Sequence, residues 1–97
     1  MQQHYVVNDC FKVLFVLNHS AVSRLGVSVG KKLLPAAVKR NRVKRIVREA
    51  FRQQNIRQLG LDVVVLARRG CLSETRKACA DKLKQLFVLV ENKCAEL

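Results

Sequence analysis

Two seven-residue runs dominate the polar–apolar pattern of this chain. Phe11-Lys12-Val13-Leu14-Phe15-Val16-Leu17 is rich in β-branched and aromatic residues and breaks off at Asn18-His19-Ser20, the signature of a strand. Leu61-Asp62-Val63-Val64-Val65-Leu66-Ala67 is almost continuously apolar, which suits a central strand covered on both faces or nearly so. A short strand at Tyr5-Val6-Val7 precedes the first run, with Asn8-Asp9 as the break between them. Arg24 to Gly30 alternates, with Leu25, Val27 and Val29 on one face, and Asn18 to Ser23 reads as a hairpin loop leading into it.

The period then changes. Val43, Ile46, Val47, Ala50 and Phe51 recur at i, i+3, i+4, i+7 and i+8, which predicts a helix from about Ala36 to Gln54, entered through Pro35. Gly60 closes the weaker Ile56-Arg57-Gln58-Leu59 segment. After Arg68-Arg69-Gly70, Ser73 is the expected N-cap of a last helix, with Glu74 in its first turn. That helix runs to about Cys94 and buries Cys79, Leu83, Leu86, Phe87, Val90 and Cys94. The expectation is one α+β domain over residues 1–97, a mixed sheet of three to four strands with helices packed on it.

Charge sharpens this picture. The net charge is +12, and from Arg24 to Arg57 eleven Lys or Arg accompany a single acid, Glu49. On the predicted helix Asn41, Lys44, Arg45, Arg48 and Arg52 gather opposite the apolar face. Ordinary solvated faces mix signs to gain i,i+4 pairs. This one scarcely does, so its cations repel one another unless a polyanion is near, and nucleic acid is the expected partner. A membrane surface is the weaker alternative, because the flanking strands offer the apolar face a protein core.

Other chemistry is sparse. Cys10, Cys71, Cys79 and Cys94 form no C-x-x-C pair, and His4 and His19 are the only histidines; the thiols read as small apolar residues of a reducing compartment. The seven acids show no pairing suited to two-metal catalysis, and the histidines no acid–base spacing. No stretch reaches the length of a membrane span, and Met1-Gln2-Gln3-His4 leads straight into the first apolar run with no secretory signal.

The run Arg24-Leu25-Gly26-Val27-Ser28-Val29-Gly30-Lys31-Lys32, seven intervening residues, then Arg40-Asn41-Arg42-Val43-Lys44-Arg45 and Arg48-Glu49-Ala50-Phe51-Arg52 resembles the signature of the bacterial ribonuclease P protein component. Asp62 to Gly70 resembles the strand and basic turn that follow it, and the likeness extends roughly from Val13 to Val90. The resemblance implies an α/β sandwich with a left-handed βαβ crossover, against the usual right-handed rule. It implies a protein subunit with no catalytic residues of its own. That subunit serves a cytoplasmic bacterial endoribonuclease whose RNA hydrolyses the phosphodiester with Mg²⁺ and removes the 5′ leader of precursor tRNA. Partners are then that RNA and the leader, with neither membrane nor DNA, and no cofactor is held by the protein alone. Family members begin with a helix carrying aromatic residues of the leader cleft; almost nothing precedes the first strand here, so this helix is expected to be lacking.

Carried onto this chain, the resemblance implies RNA contacts at Lys31, Lys32, Arg40, Asn41, Arg42, Lys44, Arg45, Arg48, Arg52, Arg68 and Arg69. Arg40, Asn41 and Arg42 are expected at the helix start, among free amides that favour anions. The leader cleft is expected to use Phe15, Arg40, Asn41, Lys44 and Arg48. Phe15 has two open readings, a core ring or a stacking platform for an unpaired base. Arg24 is a weaker phosphate candidate. A ribosomal-type RNA-binding protein and a DNA-binding module with its helix in a major groove are the rival classes; Lys and Arg rather than short amide readers speak against the second.

Overall fold

The two apolar runs pair with each other. The computed structural model describes residues 3–96, so the chain start read from Met1 and Gln2 lies outside the described residues. The order is β1 (His4–Val7), β2 (Phe11–Leu17), β3 (Arg24–Ser28), α1 (Ala37–Gln53), β4 (Leu61–Ala67) and α2 (Arg76–Ala95), with short 3-10 turns at Asn55–Gln58 and Arg69–Leu72. The four strands form one sheet in the order β1-β2-β4-β3. β1–β2 and β2–β4 are antiparallel, Phe11 opposite Ala67 and Leu17 opposite Leu61, while β3 runs parallel to β4. Both helices lie on one face, and α1 links the parallel pair.

The alternation dictates which face is buried. Phe11, Val13 and Phe15 of β2 and Leu61, Val63 and Val65 of β4 point into one core with Val47 and Ala50 of α1 and Leu83, Leu86, Phe87 and Val90 of α2. Phe51 packs against this core, its ring edge-on to Phe87 at 6.2 Å. The opposite face carries Tyr5, Val7, Lys12, Leu14, Val16, Val64 and Leu66, and no element covers it among the described residues. β4 is therefore central in the sheet, as its apolar run predicts, but covered on one face only; Val64 is exposed.

The hairpin expected at Asn18 to Ser23 does not form. β4 is inserted between β2 and β3, so this loop carries the chain past the start of β4. The physical reason is that β4 gains most from two hydrogen-bonded neighbours, whereas β3, with Arg24, Gly26 and Ser28 facing solvent, suits an edge. The loop is strapped down: Asn18 N–H donates to Gly60 O at 2.9 Å, Ser23 Oγ donates to Ile56 O at 2.6 Å and accepts from Leu61 N–H at 2.9 Å. Gly60 sits beneath it at φ +69°, and a Cβ there would lie 2.2 Å from Ser20 O. Gly60→Ala thus adds left-handed strain to a backbone clash. A loss of about 2 kcal/mol or more is expected, read as a drop of about 10 °C in the melting midpoint.

The start of α2 also differs from expectation. Thr75, not Ser73, is the N-cap, its Oγ1 accepting from Ala78 N–H at 3.1 Å. Ser73 Oγ instead donates to Gly70 O, because residues 69–72 form a 3-10 turn that delays the helix. Glu74 precedes the helix and pairs with Lys82 at 2.7 Å.

Candidate nucleic-acid interface

Helix α1 presents two unlike faces because its apolar residues keep helical period. Val47 and Ala50 are buried, Val43 and Phe51 pack on the core, and the charged residues turn outward. Asn41, Lys44, Arg45, Arg48, Glu49 and Arg52 line a shallow concavity of about 450 Å³ along the outer side. Among the described residues none of its four cations has an ion-pair partner; the ion pairs are Arg24–Asp62, Lys82–Asp9 and Lys82–Glu74. Unpaired cations this dense form a positive strip whose self-repulsion an anionic backbone relieves. The N-cap residue, Ala36, offers no side-chain cap and the first turn holds no acid, so the positive end of the helix is uncompensated.

The structure separates residues that the sequence grouped. Because α1 begins at Ala37, Arg40 to Arg42 lie inside the helix, and Arg40 N–H is already bonded to Ala36 O at 3.1 Å. Their amides are not free. A 100° step per residue then sends the three side chains in different directions. Arg40 folds back and donates to the carbonyls of Leu34 and Pro35 at 2.8 and 2.7 Å, Asn41 joins the ridge, and Arg42 faces α2. Of the expected leader-cleft set, Asn41, Lys44 and Arg48 come together on the ridge.

Phe15 does not. Its ring is 1% exposed, on the helix side of the sheet, and stacks on His4 at 5.5 Å between centroids. It is a core side chain, so no nucleotide base can stack on it; register decides this, since Phe15 shares its face with Phe11 and Val13. His4 itself lies in β1. Tyr5 is the exposed aromatic ring of the described residues, on the open face, with Lys12 Nζ 4.7 Å from its centroid.

Of the remaining expected residues, Lys31, Lys32, Arg68 and Arg69 lie at one end of the sheet and Arg24 at the other. Lys31 and Lys32 are exposed in the turn that leaves β3, and Arg69 is exposed in the 3-10 turn that follows β4. Arg68 donates to Asn8 O and holds the β1–β2 turn. Arg24 is taken by Asp62 through two hydrogen bonds of 2.9 and 2.8 Å. Sequence reading missed the cations of α2, Arg76, Lys77 and Lys84, which line the seam beside α1. The i, i+4, i+8 line of Arg76, Ala80 and Lys84 is the signal that could have found them.

Two carboxylates also converge unannounced. Asp9, Cys10 and Glu74 bring ligand atoms within 4.8 Å of one another, a spacing that could hold a metal ion. Lys82 Nζ fills the place between the carboxylates, 3.1 Å from Asp9 and 2.7 Å from Glu74, and ties the β1–β2 turn to α2. Its hydrogen bond to Asp9 holds that carboxyl below the usual range, and burial pushes the Cys10 thiol up to about 11. Cys10, Cys71 and Cys79 are free and buried.

Asp62 is held below its ordinary value by the Arg24 and then the Asn18 hydrogen bonds. A depressed carboxylate stabilises the fold above its unfolded value, and this contribution disappears as pH falls through the folded one. Asp62→Asn is therefore expected to lower stability at pH 7. The gap to the parent protein should close as pH drops below the ordinary aspartate range of about 4, measured by urea titrations across pH.

Fold and ridge together define a small α+β domain of the nucleic-acid-binding class. The ribonuclease P family model matches residues 1–91, and the chain belongs to that family. Ribonuclease P protein components of Legionella pneumophila (strain Corby) and Chromohalobacter salexigens are 36% and 45% identical to it, over 84% and 70% of this chain and 70% and 59% of theirs. Solved RNase P proteins of Staphylococcus aureus and Thermotoga maritima superpose with TM-scores of 0.81 and 0.75, each at 33% identity, covering 91% and 88% of this chain and 81% of each of theirs. Family membership makes it the protein component of an endoribonuclease that acts in tRNA 5′-end processing together with an RNA subunit. It also sets aside the ribosomal and DNA-binding alternatives. No helix of the described residues is long and apolar enough to cross a membrane.

Proposed function

We propose that the α1 ridge binds the RNA subunit in the bacterial cytoplasm, and that the same helix helps to hold the 5′ leader of precursor tRNA. The observation that carries this reading is the set of four unpaired cations, Lys44, Arg45, Arg48 and Arg52, on one helix face with Asn41. Long cationic side chains along one helix face suit the phosphates of a backbone rather than base edges. Lys31, Lys32 and Arg69 add exposed charge at the end of the sheet where α1 begins. Asn41, Lys44 and Arg48 are the leader contacts of the ridge, and Tyr5 is the ring this chain offers an unpaired base. Phosphodiester hydrolysis belongs to the RNA, with Mg²⁺ stabilising charge on the reacting phosphate. The protein lowers the repulsion between RNA subunit and substrate, so its effect is greatest when Mg²⁺ is scarce.

A cleavage assay tests this. The chain alone leaves precursor tRNA intact. Added to a bacterial ribonuclease P RNA at low Mg²⁺, it raises turnover. Cleavage by the protein without RNA that survives RNase-depletion controls, or an RNA whose turnover is indifferent to the protein, would overturn the reading.

A further inference from the structure

The seam between the helices holds a feature the ridge does not use. α1 and α2 run side by side in the same sense, Val43 and Ile46 near Cys79 and Phe51 near Phe87. Their outer edges do not close. A groove of about 620 Å³ opens at their N-terminal ends, floored by Val43, Ile46 and the exposed Leu72. Past Ile46 and Arg76 it continues into a depression of about 290 Å³ floored by Ala50 and Ala80. Lys39 and Arg42 rim it from α1, and Arg76, Lys77 and Lys84 from α2. Those five cations have no ion-pair partner among the described residues. Of the two acids that border the groove, Glu49 and Glu74, the second is taken by Lys82 at 2.7 Å.

An apolar floor between two unpaired cationic rims has a specific complement. A lipid or apolar peptide leaves the rims unpaired, and an inorganic anion leaves the floor wet. A double helix offers phosphates but keeps its bases stacked inside. An unpaired nucleotide satisfies both parts, with a flat ring for the floor and phosphates for the rims. The groove volume lies within the usual range for a small-ligand site, about 300–1,000 Å³. Arg42 on the rim is next in sequence to Asn41 on the ridge, so one strand can pass from ridge to groove without a break.

We propose that the α1/α2 groove is a second RNA subsite, taking an unpaired nucleotide whose base lies on Val43, Ile46 and Leu72 and whose phosphates meet Arg42 and Arg76. The proposal rests on the reading that the ridge binds RNA. The nucleotide can come from the RNA subunit or from the tRNA substrate, and the test separates these.

The full chain is prepared with Arg76→Ala and Lys77→Ala together, and separately with Arg45→Ala and Arg48→Ala; both pairs are exposed, and melts confirm the fold. Affinity for a ribonuclease P RNA is then measured against salt, and affinity of the assembled holoenzyme for precursor and for mature tRNA. A photoreactive benzoyl-phenylalanine replacing Leu72 reports what lies on the floor. Loss at Arg76 and Lys77 should flatten the salt slope by about one to two units, each phosphate contributing about 0.7–0.9. The cross-link should fall on an unpaired nucleotide. A slope change with the RNA subunit alone assigns the nucleotide to that RNA, and a change confined to precursor or mature tRNA assigns it to the substrate. If the α2 variant binds every RNA like the parent while the ridge variant does not, the groove proposal fails and the ridge reading stands; a groove built for an acidic protein segment gives this result. If neither variant changes binding, the ridge reading fails and the groove proposal with it. Cross-links confined to base-paired nucleotides also overturn the groove.

Discussion

Val47→Asp unfolds the domain. Val47 is fully buried where α1 meets the sheet, and there is no buried polar or charged residue among the described ones to receive a carboxylate. An ionised group without partners in such a place costs several kcal/mol, and a neutral one still loses its hydrogen bonds to water. Losses above about 4 kcal/mol are exceptional for single substitutions, and a small domain has roughly 5–15 kcal/mol in all. The expected result is a protein without a cooperative melt and without dispersed amide resonances. Arg48→Asp, one residue along and exposed, is the control and keeps both. A cooperative transition in Val47→Asp near that of the parent would show that α1 is not docked as described.

Replacing Lys44, Arg45, Arg48 and Arg52 together by Ala gives the largest functional effect. Alanine is a strong helix former and the four side chains face outward, so the fold is retained. With each charge-assisted contact contributing roughly 1 kcal/mol, RNA affinity falls by about 4 kcal/mol, or about a thousandfold. The slope of log K against log salt falls by about three units, since each neutralised phosphate contributes about 0.7–0.9. A weaker affinity with the slope intact would mean that the variant damaged shape rather than charge. An unchanged affinity would show that the ridge faces solvent in the ribonucleoprotein.

Local signals in this chain are strong where neighbours along the chain also become neighbours in space. β2 and β4 fall on the residues their apolar runs mark, and α1 differs from its expected span by one residue at each end. The ridge was legible too, because helical period alone places Asn41, Lys44, Arg45, Arg48 and Arg52 on one face. Errors arose where two segments compete for one place. The loop from Asn18 to Ser23 has the composition of a hairpin, yet β4 is the better neighbour for β2, and no local signal ranks the two. Ser73 and Thr75 are both capable caps, and the 3-10 turn at Arg69–Leu72 selects the second. Phe15 fits a core or an open face equally well as a residue; its face is set by register with β1 and β4, which the sequence of β2 does not contain.

By itself, then, the sequence determined the elements, the sign and strip-like placement of the charge, and, through its spaced basic motif, the family. The elements and the charge strip follow from periodicity and composition, which act over a few residues, and the family from the likeness of that motif to a known signature. The tertiary structure alone decided strand order and the one-sided burial of the sheet. It also decided the separation of Arg40, Asn41 and Arg42, the Asp9–Lys82–Glu74 bridge and the groove between α1 and α2. Each of these depends on groups far apart in the chain, brought together by where the apolar faces find their largest common burial.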